Sequence, residues 1–300
     1  MIEVLELTKR FDDILAVDHI TTKILDQHVY GLIGSNGAGK STFLRMLCGI
    51  LKADSGAIFM DGREIFEKEQ IKKHMFYISD DQYFFANTTL KELADYYSLY
   101  YSEFDKNRYE KLLVQFGLDS KRKINTFSKG MKKQASIIIG ICTNTKYLLC
   151  DETFDGLDPV MRQAVKSMLG SEMENRGLTP IIASHNLREL EDICDHVGLL
   201  HKGGILFTKD IEDMRLGIHK VQCAFAPGMD VDRILTQFDL IKKEQRGSLY
   251  TITVRGNRET IMQALTGECI LFAEALPLSL EEIFISETEV AGYDINKLIF

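Results

Sequence analysis

The run Gly34-Ser35-Asn36-Gly37-Ala38-Gly39-Lys40-Ser41-Thr42 follows an apolar stretch, Val29 to Ile33, and leads straight into a helical pattern, TFLRMLCGI. A strand that ends in a glycine loop and continues as a helix leaves little choice of fold. The glycines let the backbone curl until successive N–H groups point inward, and the helix behind them turns its positive end to the same place. Such a cradle suits phosphate. Lys40 adds a full positive charge over the outer phosphates, and the Ser41 hydroxyl is the kind of oxygen donor that Mg2+ takes. A glycine-rich turn could match this spacing by chance, but the strand before it and the helix after it favour nucleotide binding.

A loop that binds a nucleoside triphosphate also needs a carboxylate for the metal. Tyr147-Leu148-Leu149-Cys150-Asp151-Glu152 supplies one at the end of a second apolar run. Asp151 is expected to hold Mg2+ through its water shell, and Glu152 to accept a proton from an attacking water. Alone, the two acids would read equally well as solvated groups where a strand leaves a sheet; the glycine loop tips the balance.

Further short apolar runs, Pro180 to Ala183 and Val197 to Leu200, each lie near a helical pattern. Continuous runs of this kind mark strands buried on both faces, hence a largely parallel sheet in an α/β fold. Between about 81 and 145 the pattern is helical, with Leu93, Tyr96, Tyr97, Tyr100, Tyr101 and Phe104 at the spacing of one helix face. The α/β pattern then resumes to about 212. From 213 to 300, HKVQCAFA, DVDRILTQF, DLIKKEQ, SLYTITVRG, NRETIMQAL and ECILFAEAL alternate as strand, helix, strand, strand, helix, strand. That is the split βαβ order of a small ferredoxin-like α+β unit, with a hairpin at Arg246-Gly247 and a closing helix capped by Ser279. Two domains, 1–212 and 213–300, follow, and 300 residues are enough for both.

In combination these residues resemble the nucleotide-binding subunit of ATP-binding-cassette (ABC) transporters, whose P-loop NTPase core carries a helical insertion. Other matches come in that family's order: Phe127-Ser128-Lys129-Gly130-Met131 at the signature, Asp155-Gly156-Leu157-Asp158-Pro159 at the D-loop, and Ser184-His185 after the PIIA strand. Phe11 lies where the family places a ring that stacks on adenine. The resemblance covers roughly residues 1 to 212. It implies an ATPase that uses Mg2+ and works as a head-to-tail pair, homodimer or heterodimer. Lys40, Ser41, Asp151, Glu152 and His185 would come from one chain, and Ser128, Lys129, Gly130 and Met131 from the other.

The chain also departs from the family's pattern. Asp80 stands where a glutamine usually meets the metal, which makes it a candidate Mg2+ contact, with Gln82 as the fallback. Lys129 replaces a signature glycine, a change associated with drug-export-like, type 2 exporter branches. Thr153 and Phe154 replace the usual proline and small residue after the acidic pair. The tail ALPLSLEEIFI also resembles that of type 2 exporter ATPases and points toward export.

Composition narrows the remaining choices. With 44 acidic against 36 basic side chains the formal charge is -8, the wrong sign for a chain that binds nucleic-acid backbones. No apolar run reaches the roughly 18 to 20 residues that span a bilayer, so transport needs a separate permease, and the expected location is the cytoplasmic face of the membrane. Of 28 Phe and Tyr residues, 12 fall between positions 75 and 116, a density that fits a docking groove for that permease. Six scattered cysteines, Cys48, Cys142, Cys150, Cys194, Cys223 and Cys269, read as small apolar residues rather than zinc ligands or disulfides. The competing readings are a soluble cassette ATPase outside transport and a regulatory nucleotide switch with little turnover.

Overall fold

The computed structural model describes residues 1–266, 270–279 and 281–284, which places Cys269 and part of the closing helix outside the described residues. Contacts divide the chain between Thr208 and Lys209, slightly ahead of the boundary after 212 expected from the sequence. The first unit runs β1 (Ile2–Phe11), β2 (Ile14–Ile24), β3 (Tyr30–Ile33), α1 (Lys40–Leu47), β4 (Ser55–Met60), β5 (Arg63–Glu64), α2 (Glu69–Lys72) and β6 (Met75–Ile78). It continues through α3 (Leu90–Tyr100), α4 (Lys106–Gln115), a short 3-10 turn at Ile124–Thr126, α5 (Lys129–Cys142), β7 (Tyr147–Asp151), α6 (Pro159–Arg176), β8 (Thr179–Ser184), α7 (Leu187–Leu190), β9 (His196–His201) and β10 (Gly204–Asp210).

Two sheets organise this unit. One has the order β2-β1-β4-β5, with antiparallel neighbours. The other has the order β10-β9-β3-β8-β7-β6, in which β9, β3, β8, β7 and β6 pair in parallel. Every residue of β3, β7 and β8 is buried, as continuous apolar runs require when helices cover both faces of a sheet. Helix α1 places Phe43, Leu44, Met46 and Leu47 in one core with Ile2, Val4 and Leu7 of β1 and with Tyr147, Leu149 and Ile181 of the parallel strands. Each of these large side chains contributes about 1.5–3 kcal/mol by leaving water.

Between β6 and β7 the chain is helical. A capping box starts α3: the Thr89 side chain accepts from the Glu92 N–H, and Glu92 accepts from the Thr89 N–H. The six residues expected on a single helix face divide in the structure. Leu93 is buried together with Leu90 and Ala94, whereas Tyr96 and Tyr100 are exposed, and Tyr101 and Phe104 lie beyond the helix end. The buried stripe is Leu90, Leu93 and Ala94 with Tyr97 half-buried beside it, which displaces Tyr96 and Tyr100 toward solvent.

Helix α4 is tied to the core by charge. Glu172 of α6, 2% exposed, accepts a bidentate contact from Arg108 of α4, and Arg176 Nε donates to it at 2.6 Å. Burial raises the Glu172 pKa, but the two guanidinium groups outweigh it, and the carboxyl ends below its ordinary value. Removing one member of a buried ionic group leaves the others uncompensated, so Glu172→Ala should lower stability by about 3–5 kcal/mol in denaturant titrations. The ionised Glu172 stabilises the fold fully above its unfolded pKa of 4.5, and this contribution is lost as pH falls through the depressed folded value. The wild-type stability advantage over Glu172→Gln should therefore shrink below about pH 4.

The second unit contains α8 (Ile211–Gly217), β11 (Ile218–Phe225), α9 (Val231–Leu235), β12 (Asp239–Arg246), β13 (Leu249–Arg255), α10 (Arg258–Ala264) and β14 (Ile270–Leu276). Its sheet has the order β12-β13-β11-β14 with antiparallel neighbours throughout, the arrangement of the split βαβ unit. Val221, Cys223, Ile252 and Val254 of the sheet form its core with Leu235, Ile261 and Leu265. Gly247 makes the hairpin turn with φ +64°, and Ser279 forms a capping box with Glu282. Cys48, Cys142, Cys150, Cys194 and Cys223 are buried and unpaired. Among the described residues, no helix is long and apolar enough to cross a membrane.

Candidate nucleotide site

The glycine loop joins β3 to α1, and two of its glycines are dictated by close backbone approach. A Cβ at Gly39, whose φ is +106°, would lie 2.2 Å from the Ala16 carbonyl oxygen, and one at Gly34 would lie 2.5 Å from that of Leu200. No other residue fits either place. Ser35, Asn36 and Gly37 are exposed at the tip, Ala38 is buried, and Ser41 and Thr42 sit half-buried in the first turn of α1. Lys40 is only 5% exposed. Its Nζ donates to the carbonyl oxygens of Gly34 at 2.7 Å and Ser35 at 3.2 Å, and lies 3.1 Å from Glu152 Oε1.

Asp151 ends β7 and is buried. Its Oδ2 accepts from the Tyr77 hydroxyl at 2.9 Å, and the Ser41 hydroxyl lies close enough to act on the same carboxylate. Burial pushes the Asp151 pKa above the usual carboxylate range, with the Ser41 and Tyr77 hydroxyls acting against it. Burial and the neighbouring Asp151 charge in turn push the Tyr77 hydroxyl up to about 12. Oδ1 of Asp151 is buried with no hydrogen-bond partner. A buried carboxylate oxygen with an unused lone pair, beside a serine hydroxyl, is an oxygen donor set that fits Mg2+. Ser41 and Asp151 are therefore the pair that fits the metal.

Glu152 follows in a left-handed backbone conformation, φ +47°. Its Oε2 lies 2.8 Å from His185 Nδ1, so its carboxylate bridges Lys40 and His185. The structure thus brings Lys40, Ser41, Asp151, Glu152 and His185 together from three separate segments. Asp80 Oδ1 is 3.2 Å from the Nζ of Lys133, the ammonium that also donates to the Glu152 carbonyl. Gln82, the fallback metal contact, has its side-chain nitrogen buried without a partner. Phe11, at the end of β1, is 41% exposed with Lys9 Nζ 5.4 Å from its ring centroid; its face is available for stacking and is not core.

The signature residues begin α5. Ser128 is its N-cap and accepts from the Met131 N–H at 3.2 Å. Lys129 Nζ lies 3.5 Å from Asp155, and a Cβ on Gly130 would stand 3.5 Å from the Gly156 carbonyl, so this helix start abuts the Asp155-Gly156 turn of the same chain. Asp158 caps α6 by accepting from Met161 N–H at 3.0 Å. Two residues of the site were not singled out from the sequence: Tyr77, which donates to Asp151, and Lys133, 1% exposed, whose Nζ donates to the Glu152 carbonyl at 2.5 Å. Nothing in the sequence separates Lys133 from Lys132, since both lie in register with buried residues of α5.

A family profile described as ABC transporter matches residues 17–155. The ABC transporter ATP-binding protein YtrB of Bacillus subtilis (strain 168) is 29% identical over 287 residues, 96% of this chain and 98% of that protein. The bacitracin transport ATP-binding protein BcrA of Bacillus licheniformis is 33% identical over 209 residues, 69% of this chain and 68% of that one. A solved structure described as the ATP-binding subunit of an ABC transporter superposes with a TM-score of 0.66 at 26% identity, covering 72% of this chain and 92% of that chain. With the glycine loop, the acidic strand end and the histidine assembled as described, this chain belongs to the ABC transporter family, as one of its ATP-binding and ATP-hydrolysing subunits.

Proposed function

We propose that this chain energises export through a separate membrane permease, bound to Mg2+ and paired with a second ATP-binding subunit on the cytoplasmic face of the membrane. The observation that carries the reading is the Glu152 carboxylate held between Lys40 and His185. Backbone N–H groups of residues 35–42 receive the phosphates, Phe11 stacks on the base, and Lys40 turns from Glu152 to the outer phosphates. That turn frees Glu152 Oε1. Glu152 then takes the proton of a water whose oxygen bonds to the terminal phosphorus as the bond to the ADP oxygen breaks, and His185 steadies the phosphate that leaves. Ser41 and Asp151 would hold Mg2+, which would supply neutralising charge to the phosphates.

The helix start at Ser128 and Gly130 carries free N–H groups and suits the phosphate of a nucleotide held by the partner chain. Export is supported by Lys129 in the signature and by the similarity to the bacitracin transport protein. The permease contact is supported by a row of exposed rings: Tyr83, 83% exposed, meets Phe85 edge-on at 6.0 Å, Phe85 meets Tyr96 edge-on at 5.1 Å, and Tyr96 lies tilted against Tyr100 at 5.1 Å.

The metal assignment has a direct test. A chelator should weaken ATP binding by the wild-type chain about tenfold or more, and weaken it far less in Asp151→Asn, which cannot hold the ion. Equal sensitivity of both proteins would remove Asp151 from the metal. The transport reading is tested by co-purification in mild detergent: a membrane protein lost on Tyr83→Ser and Phe85→Ser substitution supports it, and a chain that recovers no membrane protein argues for a soluble ATPase.

A further inference from the structure

Lys133 sits on α5 with 1% of its surface exposed. An ammonium group is stable in such a place only when its charge is paired and its donors are used. Lys133 Nζ meets oxygens from two other segments: the Glu152 carbonyl at 2.5 Å, Asp80 Oδ1 at 3.2 Å and Asp155 Oδ2 at 4.0 Å. The first of these contacts is to the residue with the most unusual backbone at the site. Glu152, at φ +47°, occupies a region that side-chain-bearing residues rarely adopt, so the surroundings must hold it there. Its N–H donates to the Ala183 carbonyl at 3.0 Å, and its own carbonyl accepts from Lys133 Nζ and, at 3.3 Å, from the Asp155 N–H. These bonds clamp the peptides on either side of the Cα from which the carboxylate reaches Lys40 and His185.

We infer that Lys133 is a positioning residue for ATP hydrolysis, holding the Glu152 backbone in the left-handed conformation, and that Asp80 is its counter-ion and not a ligand of the metal. The inference rests on the reading of Glu152 as proton acceptor. It accounts for a carboxylate at position 80: a buried lysine needs a negative partner, which a glutamine would not supply. It also gives the segment entering the helical insertion a physical line to the catalytic residue, because moving Asp80 changes the balance of charge on Lys133.

The test measures ATP turnover by the full chain for wild type, Lys133→Met, Asp80→Asn and the double variant. Lys133→Met should lower kcat by about 10- to 100-fold, the scale of a small misplacement of a catalytic group, with KM for ATP within about threefold of wild type. Asp80→Asn should lower kcat about 3- to 10-fold without changing the Mg2+ requirement. The double variant should match Lys133→Met, because the counter-ion then has nothing to serve. Effects that multiply in the double variant, or a KM rise in Lys133→Met at unchanged kcat, overturn the inference. Should Lys133→Met fail to fold, Asp80→Asn decides at its half-exposed position: a shifted Mg2+ requirement puts Asp80 on the metal and overturns the inference. A wild type without turnover would overturn the reading of Glu152 and this inference together, whereas normal turnover in both wild type and Lys133→Met overturns the inference alone.

Discussion

Lys40→Ala should raise the dissociation constant for ATP by about 100-fold or more, measured by calorimetry or by competition with a fluorescent analogue. Each charge-assisted hydrogen bond from an ammonium to phosphate contributes about 1.5–3 kcal/mol, and two such bonds disappear with the side chain. The effect is large because Lys40 is buried beside the loop, where its charge is poorly screened. The variant also deprives Glu152 Oε1 of its 3.1 Å partner, so Lys40→Met, which keeps most of the volume, should be measured alongside. Both should lose affinity alike. Unchanged affinity in either would remove the loop from nucleotide binding.

Glu152→Gln should leave ATP binding within about threefold of wild type and lower turnover by about 100- to 10,000-fold, the usual contribution of a positioned acid or base. The amide keeps the shape of the side chain and can still accept from His185, but it cannot take a proton from water. Because hydrolysis is what reopens the pair in the proposed cycle, the blocked variant should accumulate as an ATP-bound dimer. A His185→Ala variant should fall short of this loss, since the histidine positions Glu152 and the leaving phosphate without accepting the proton itself.

The parts of the site that the sequence disclosed are those where the backbone dictates the residue. Gly34 and Gly39 are glycine because a Cβ would strike the carbonyl oxygens of Leu200 and Ala16, and β7 is a continuous apolar run because both its faces are covered. The second unit was legible for a similar reason: its strands and helices alternate in period over short, well-punctuated segments, and a glycine sits at the hairpin. Side chains whose role depends on tertiary neighbours were less readable. Lys132 and Lys133 look alike in the sequence; only packing of α5 buries the second against Glu152. Asp80, a candidate metal contact by its position in the chain, has its carboxylate 3.2 Å from that lysine, a pairing that only the fold discloses. Tyr96 and Tyr100 share a helical spacing with Leu93 but not its burial, because the stripe through Leu90 and Ala94 sets which way α3 faces.

The most direct test of the account is the oligomeric state and nucleotide content of Glu152→Gln with ATP and Mg2+, read by light scattering on a gel-filtration column with quantification of the bound nucleotide. A particle of twice the chain mass holding one ATP per chain, and dissociating when a chelator is added, is the expected result. A monomer that hydrolyses ATP at the wild-type rate would contradict both the role of Glu152 and the shared site.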